Sequence, residues 1–200
     1  MGLAELLDRI REQYVARLAG VAKEFGQRPN VRVLSEVALR HKQGDPVGEG
    51  ILGLPMRLDL VTVCGDEVTE RVSVDSGSMQ TFKPITFAWD AGLQVTLNPF
   101  HWDSAAIHVP APGEDANWRP LVHWFRKWFR SEEDGSGETL LGVIHFLSDP
   151  ETANGVTRFT ADLGSAPIQA FEELLDAIVH MGVTKVVIGD DRSALETKSG

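Results

Sequence analysis

LPMRLDLVTVCGDEVTERVSVD, residues 54–75, is the stretch that decides the fold class. Apolar and polar side chains alternate on both sides of Gly65-Asp66, which is typical of two strands that each bury one face. A Gly-Asp pair between two alternating runs is a turn signal, because both residues tolerate the backbone angles of a tight hairpin. The stretch therefore predicts an antiparallel hairpin.

The same alternation continues in both directions along the chain. Residues 31–41 predict a strand before the hairpin, and residues 104–109 predict one after it. Between them, residues 82–89 and 93–97 flank a turn at 90–92 and predict a second hairpin. Strands that follow one another without intervening helices favour an antiparallel meander with one buried face.

Three other segments have the 3.6-residue period of an amphipathic helix. The first covers residues 3–25, and the second covers residues 116–131. Ser165 as N-cap and Pro167 in the first turn predict the start of the third, which ends at Met181-Gly182. Three helices among many strands, without strict alternation, predict an α+β fold.

The remaining strands complete the expected architecture. TLLGVIHFL (139–147) and its expected antiparallel neighbour GVTRFTADL (155–163) are strand candidates, as is KVVIGD (185–190). We predict one α+β domain over residues 1–192, in which a largely antiparallel β-sheet (meander) packs against about three α-helices. Residues 193–200 are expected to form a polar tail.

Composition restricts the compartment and the partners. The chain has 29 Asp and Glu against 19 Lys and Arg, a formal net charge of −10, so its field would repel polyanions and no nucleic-acid partner is expected. Cys64 is the only cysteine, which excludes an intrachain disulfide and favours a reducing compartment. No run resembles a signal peptide or a membrane-spanning helix. We expect a cytoplasmic protein without a cofactor.

Gly48, Gly50 and Gly53 spell G-x-G-x-x-G, the spacing of dinucleotide-binding loops. That fingerprint has physical meaning only between a strand and a helix whose N-terminus faces the pyrophosphate. Pro55 and an alternating strand follow here instead. We therefore predict an ordinary loop.

The densest group of potential metal ligands is His101, Asp103 and His108, within eight residues. On an extended strand His101 and Asp103 would share a face while His108 would point to the other. Zinc needs three or four converging ligands, so we predict no metal site and no stoichiometric transition metal. His101 and Asp103 remain weak catalytic candidates.

His145 belongs to another strand candidate. On an alternating strand it would lie on the same face as its apolar neighbours, so we expect a buried, neutral, hydrogen-bonded side chain.

NWRPLVHWFRKWFR, residues 117–130, combines two kinds of surface on one helix. Its aromatic and aliphatic side chains cover one sector of the helical wheel, and we expect Trp118, Phe125 and Phe129 to pack in the core. A second sector is basic, and its members are the candidate binding residues Arg119, His123, Arg126, Lys127 and Arg130. We expect Arg119 to be paired within the protein, and Arg126 and Arg130 to be exposed.

The sequence contains no complete catalytic constellation. We therefore favour a non-enzymatic module for protein–protein contact, such as an adaptor, regulator or inhibitor, with a protein partner. One alternative is a metal-assisted hydrolase built on His101, Asp103 and a third ligand from another strand. A second alternative is a peripheral protein that binds an anionic surface through the helix at 118–130.

Overall fold

The structure is a computed structural model, and it describes residues 2–41, 44, 46–113, 116–133 and 135–190. The tail predicted at 193–200 lies outside the described residues. Three helices are present: α1 (Leu3–Gly26), α2 (Arg119–Phe129) and α3 (Ile168–His180). Together with the strands they confirm the α+β fold class.

Twelve strands lie within the described part of the chain. They are β1 (Arg32–Ala38), β2 (Gly48–Glu49), β3 (Leu54–Pro55), β4 (Arg57–Cys64), β5 (Glu67–Val72), β6 (Ile85–Ala88), β7 (Gln94–Leu97), β8 (Ala105–Pro110), β9 (Phe146–Leu147), β10 (Glu151–Ala153), β11 (Val156–Asp162) and β12 (Lys185–Gly189).

The hairpin predicted around Gly65-Asp66 is confirmed as β4 and β5, which pair antiparallel. β1 pairs antiparallel with the other edge of β4, which gives a three-stranded sheet in the order β1-β4-β5. The second predicted hairpin is confirmed as β6 and β7, joined by a short 3₁₀ turn at Asp90–Gly92.

The remaining long strands form a separate seven-stranded sheet, whereas the sequence favoured one continuous meander. Its order is β10-β11-β8-β12-β7-β6, with β9 added on β11. β12 inserts between β7 and β8 and runs parallel to β7, although every other strand pair is antiparallel. Alternation identifies a strand but not its neighbours, because pairing depends on residues that are distant in sequence.

Most of the strand predicted at 139–147 is irregular, and only Phe146–Leu147 pairs with β11. Here the backbone amides donate to side chains instead of to a neighbouring strand. The Leu141 amide donates to the Glu36 carboxylate, and the Gly142 amide donates to the Ser165 hydroxyl at 2.8 Å. Ser165 is therefore not the cap of α3, whose N-cap is Pro167 without a side-chain hydrogen bond. The prediction that Ser165 caps α3 was wrong.

The three helices, the three-stranded sheet and the seven-stranded sheet share one core, and β2 and β3 form a separate two-stranded sheet. Phe125 and Phe129 of α2 are buried and stack with ring centroids 5.1 Å apart, as predicted, while Trp118 is only half-buried. Arg57 of β4 is also buried, and its guanidinium donates to the Phe129 carbonyl at 2.6 and 3.0 Å. Since the last carbonyls of a helix have no intrahelical partner, this arginine ties the end of α2 to the small sheet.

Candidate functional site

The residues singled out as catalytic candidates lie in separate surroundings. Asp103 accepts a hydrogen bond from the Ser76 amide at 3.1 Å and another from the Ser76 hydroxyl. His101 instead lines a small crevice together with Gln13 and Gln80, and no hydrogen bond joins it to Asp103. The structure therefore does not bring this pair together, and His108 stands on β8 within the seven-stranded sheet.

The predicted binding residues occupy the outer surface of α2. Arg119, His123, Arg126 and Lys127 are exposed, and Lys127 forms an ion pair with Glu173 of α3 at 2.6 Å. Arg126 is exposed as expected, but Arg119 and Arg130 are the opposite of what the sequence predicted. Arg130 is tied to the protein, because it donates to the Leu141 and Gly142 carbonyls and pairs with Glu133 at 3.3 Å. The Arg119 and Arg126 side chains make no ion pair or hydrogen bond in the described part of the chain.

A different histidine lies at the junction of the two sheets. His145 is fully buried, and both ring nitrogens bond carboxylates: Nδ1 to Asp59 Oδ1 at 2.8 Å, and Nε2 to Glu36 Oε1 at 2.9 Å. A third carboxylate oxygen, Asp162 Oδ2, lies 3.7 Å from Nδ1. We call His145, Glu36, Asp59 and Asp162 the carboxylate–histidine cluster.

Strand register places two of these acids side by side. Ser35 and Val37 of β1 pair with Leu60 and Leu58 of β4, so Glu36 stands across from Asp59. Two like charges in this arrangement repel each other unless a cation separates them. Glu36 also has φ of +52°, an uncommon left-handed conformation for a non-glycine residue, which turns it out of the regular ladder.

Neighbouring elements fix the remaining contacts of the cluster. Asp59 accepts from the Tyr14 hydroxyl of α1 at 3.0 Å and from the Val74 amide at 2.7 Å. The His145 ring packs on Gly164, where a Cβ would lie 2.4 Å from its Cδ2 atom, and Gly164 has φ of +51°. These contacts hold the imidazole in one orientation.

The imidazole is charged, in contrast to the neutral histidine that the sequence predicted. Burial by itself would lower the pKa of His145, but the Asp162 carboxylate and the hydrogen bonds to Asp59 and Glu36 raise it to about 10. Burial also opposes ionisation of Glu36 and Asp59, yet their bonds to His145 hold both pKa values below the usual range. His145 is thus an imidazolium that donates from both nitrogens.

Asp162 differs from its two neighbours. Burial raises the pKa of its carboxyl to about 7 against the pull of the His145 charge, and the Asp59 carboxylate adds to the rise. Its Oδ1 accepts from the Gly164 amide at 2.9 Å. Its Oδ2 has no hydrogen-bond donor within 3.5 Å among the described residues, and 21% of the side chain is exposed.

The exposed part of Asp162 borders a cleft of about 450 Å³ between the two sheets. Asp59 and Asp103 also line it, together with the hydroxyl-bearing Thr160 and the exposed Arg71. Carboxylates from β4, β11 and the turn before β8 therefore converge on one space. Asp103 thus belongs to a candidate site, although not with the histidine that the sequence suggested.

Asp59, His145 and Asp162 each place a ligand atom within 4.8 Å of the others, which is a spacing that could surround a metal ion. A histidine binds a metal through an unprotonated ring nitrogen. Both nitrogens of His145 donate to carboxylates, so neither has a lone pair to offer. As arranged, the donor set fits proton transfer and does not fit zinc.

Sequence reasoning missed Glu36, Asp59 and Asp162, although a signal exists for Asp59. In the alternating stretch LDLV, Asp59 lies among residues that all prove to be buried or half-buried, so an acid there needs a partner. In LGVIHFL, the alternation likewise places His145 on the buried face of a strand, where a polar group needs a partner. No sequence rule connects these positions, which lie 86 residues apart.

No family model, curated protein or solved structure matches this chain. Among the helices in the described ranges, none combines the length and the apolar character that crossing a membrane requires.

Proposed function

We propose that the protein is an enzyme that transfers a proton to or from a small polar substrate bound in the cleft between the two sheets. The single observation that carries this proposal is Asp162 Oδ2. Asp162 lines the cleft, and this oxygen has no hydrogen-bond donor among the described residues, whereas the other carboxylate oxygens of the cluster accept hydrogen bonds. The proposed enzyme differs from the enzyme alternative that the sequence suggested, a metal-assisted hydrolase built on His101 and Asp103.

The roles follow from the environment of each group. A pair of carboxylates with pKa values pushed in opposite directions, as in Asp59 and Asp162, is typical of acid–base sites. Asp162 would give its proton to the substrate, and the carboxylate left behind would be stabilised by the imidazolium 3.7 Å away. The reverse transfer restores the acid. His145, Glu36 and Asp59 are positioning residues in this scheme.

The lining restricts the substrate. Three carboxylates and several hydroxyl groups favour a molecule that carries hydroxyl or amine donors, because such groups replace the water bonds that the acids lose. A cytoplasmic location belongs to this proposal, supported by the single cysteine.

Untargeted mass spectrometry of a metabolite extract incubated with the purified protein tests the enzyme proposal. We expect the wild type to convert at least one polar metabolite near neutral pH, and Asp162→Asn to lose about a hundredfold or more of that rate. Asp66→Asn removes an equal charge from an exposed turn and should keep the rate. Equal conversion by all three proteins, or none, would contradict the proposal.

A second function, contact with a protein partner through α2, is supported by a separate observation. The exposed Arg119 and Arg126 lack partners within the described residues of a chain whose net charge is −10. A pull-down from native cell extract should lose the partner with Arg119→Gln/Arg126→Gln. The matched pair Arg9→Gln/Arg17→Gln changes the net charge equally on exposed α1 and should retain it. Identical sets of retained proteins would contradict this function.

A further inference from the structure

The cleft between the two sheets is lined by a cation that the proposed reaction does not use. Arg71 stands on β5, in register with Val61 of β4, and its exposed side chain borders the cleft. That side chain makes no ion pair or hydrogen bond within the part of the chain that the structure describes. The guanidinium is therefore available to a ligand that enters the cleft.

The other charged groups of the lining are already bound by the protein. Both carboxylate oxygens of Asp59 accept hydrogen bonds, and Asp103 accepts two from one serine. Arg57 donates to the last carbonyls of α2. Among the described residues, this leaves the Arg71 guanidinium and Asp162 Oδ2 as the ionisable groups of the lining that can bind a ligand without losing a hydrogen bond.

The two available groups belong to different sheets. Arg71 lies on the three-stranded sheet, and Asp162 ends β11 of the seven-stranded sheet. A guanidinium presents parallel N–H donors that match the oxygens of a carboxylate or a phosphate. The cleft volume of about 450 Å³ lies within the range of about 300–1,000 Å³ that is typical of small-molecule sites. A small molecule with an anionic group and a separate amine or hydroxyl can therefore bind both groups.

The charge of the lining favours a carboxylate over a phosphate as the anionic group. Asp59 and Asp103 are further carboxylates beside the same space. A phosphate monoester carries about −1.5 to −2 charges at pH 7, whereas a carboxylate carries one. Repulsion between like charges is stronger between protein walls than in open water, so these acids oppose a phosphate more than a carboxylate.

We infer that the substrate is a small amino acid or hydroxy acid, whose carboxylate is bound by Arg71 while its amine or hydroxyl faces Asp162. Arg71 is then the residue that determines specificity, because it separates such acids from neutral molecules that carry the same amine or hydroxyl. This inference rests on the proposed enzyme function and names its substrate class.

Ligand-observed NMR with a defined panel tests the inference without requiring turnover. The panel contains small amino acids and hydroxy acids, each matched with its carboxamide, which keeps the shape and removes the negative charge. We expect at least one acid to bind, and its carboxamide to bind at least about tenfold more weakly, because a charge-assisted hydrogen bond is lost.

Arginine variants assign that preference to one residue. Arg71→Gln should weaken binding of the acid about tenfold and make acid and carboxamide nearly equal, while Arg71→Lys should retain part of the preference. Arg32→Gln is the matched control, because it removes an equal charge from exposed β1 of the same sheet, outside the cleft lining. It should change the affinity by less than about twofold.

Several results would overturn the inference. It is wrong if no acid of the panel binds, or if acids and carboxamides bind equally well to the wild type. Equal weakening by Arg71→Gln and Arg32→Gln would mean that only net charge matters. Inorganic phosphate that binds more tightly than every acid would assign the site to phosphate instead.

Turnover separates this inference from the proposed function. With the substrate that the metabolite screen identifies, Arg71→Gln should raise KM about tenfold and change kcat less than about twofold, because its contact is the same in the ground state and the transition state. A converted substrate without a carboxylate would sink the inference and leave the enzyme proposal standing. Binding that depends on Arg71, without conversion of any metabolite, would sink the enzyme proposal and leave a cleft that binds such acids.

Discussion

The carboxylate–histidine cluster and the outer surface of α2 are both groups of charged residues, but the charges of the cluster are buried whereas those of α2 are exposed. In the cluster, Glu36 and Asp59 are bound to one imidazolium and to backbone amides that cannot move away. On α2, Arg119 and Arg126 extend into solvent, where water satisfies them. Buried charges must be paired to exist at all, whereas exposed charges are free to meet a partner. Stability should therefore respond to the cluster, and binding should respond to α2.

The largest effect is expected for His145→Gln. The change removes the cation that separates Glu36 from Asp59, and breaking a buried charge pair costs about 3–5 kcal/mol of unfolding free energy. Urea denaturation measures the loss. His123→Gln, on exposed α2, should change stability by less than about 0.5 kcal/mol. A similar small change in both variants would erase the contrast between the two regions.

Phe125→Ala tests the buried side of α2. The ring is fully buried and stacked on Phe129, so its removal should cost about 3 kcal/mol or more. Denaturation of the variant gives the value. A loss below about 0.5 kcal/mol would mean that α2 is held by its polar contacts and that its aromatic side is a docking surface.

The stability of the wild type should fall as pH rises from about 4 to 8. The pKa of Asp162 is about 7 in the folded state, above its ordinary value of 3.8. Its protonation thus stabilises the fold fully below about pH 4, and that contribution is lost as pH rises through 7. His145, raised from 6.5 to about 10, extends the same trend to higher pH.

Asp162→Asn isolates this contribution, because the amide does not titrate. Urea midpoints measured between about pH 5 and pH 6.5, below the range in which the His145 contribution is lost, should decline for the wild type and stay nearly level for the variant. A wild-type stability that rises with pH over this window would contradict the assignment of a protonated Asp162. Below that window, Glu36 and Asp59 have lowered pKa values, so their contribution is lost as pH falls.

The smallest effects separate the arginines of α2 from one another. Arg130→Gln should cost about 1–2 kcal/mol, since it removes hydrogen bonds to the Leu141 and Gly142 carbonyls. Arg119→Gln/Arg126→Gln should leave stability within about 0.5 kcal/mol of the wild type. Thermal or chemical denaturation of both variants provides the comparison. The reverse order would indicate that the exposed pair is structural.

Period and turn chemistry in the sequence were enough to locate most elements. Three elements depend on patterns among neighbouring residues: the hairpin around Gly65-Asp66, the helix at 3–25 and the aromatic side of α2. Such local patterns are visible in the sequence itself. The strand at 139–147 failed because its amides bond side chains of Glu36 and Ser165, which are distant in sequence.

The sequence by itself determined the fold class, the burial of His145 and the two-sided character of α2. Only the tertiary structure decided that Glu36, Asp59 and Asp162 surround that histidine, that β12 lies between β7 and β8, and that Arg130 rather than Arg119 is tied to the protein. The physical reason is the range of each interaction. Hydrophobic period is a property of neighbouring residues, but the charge state of a buried group depends on atoms that meet only when the chain is folded.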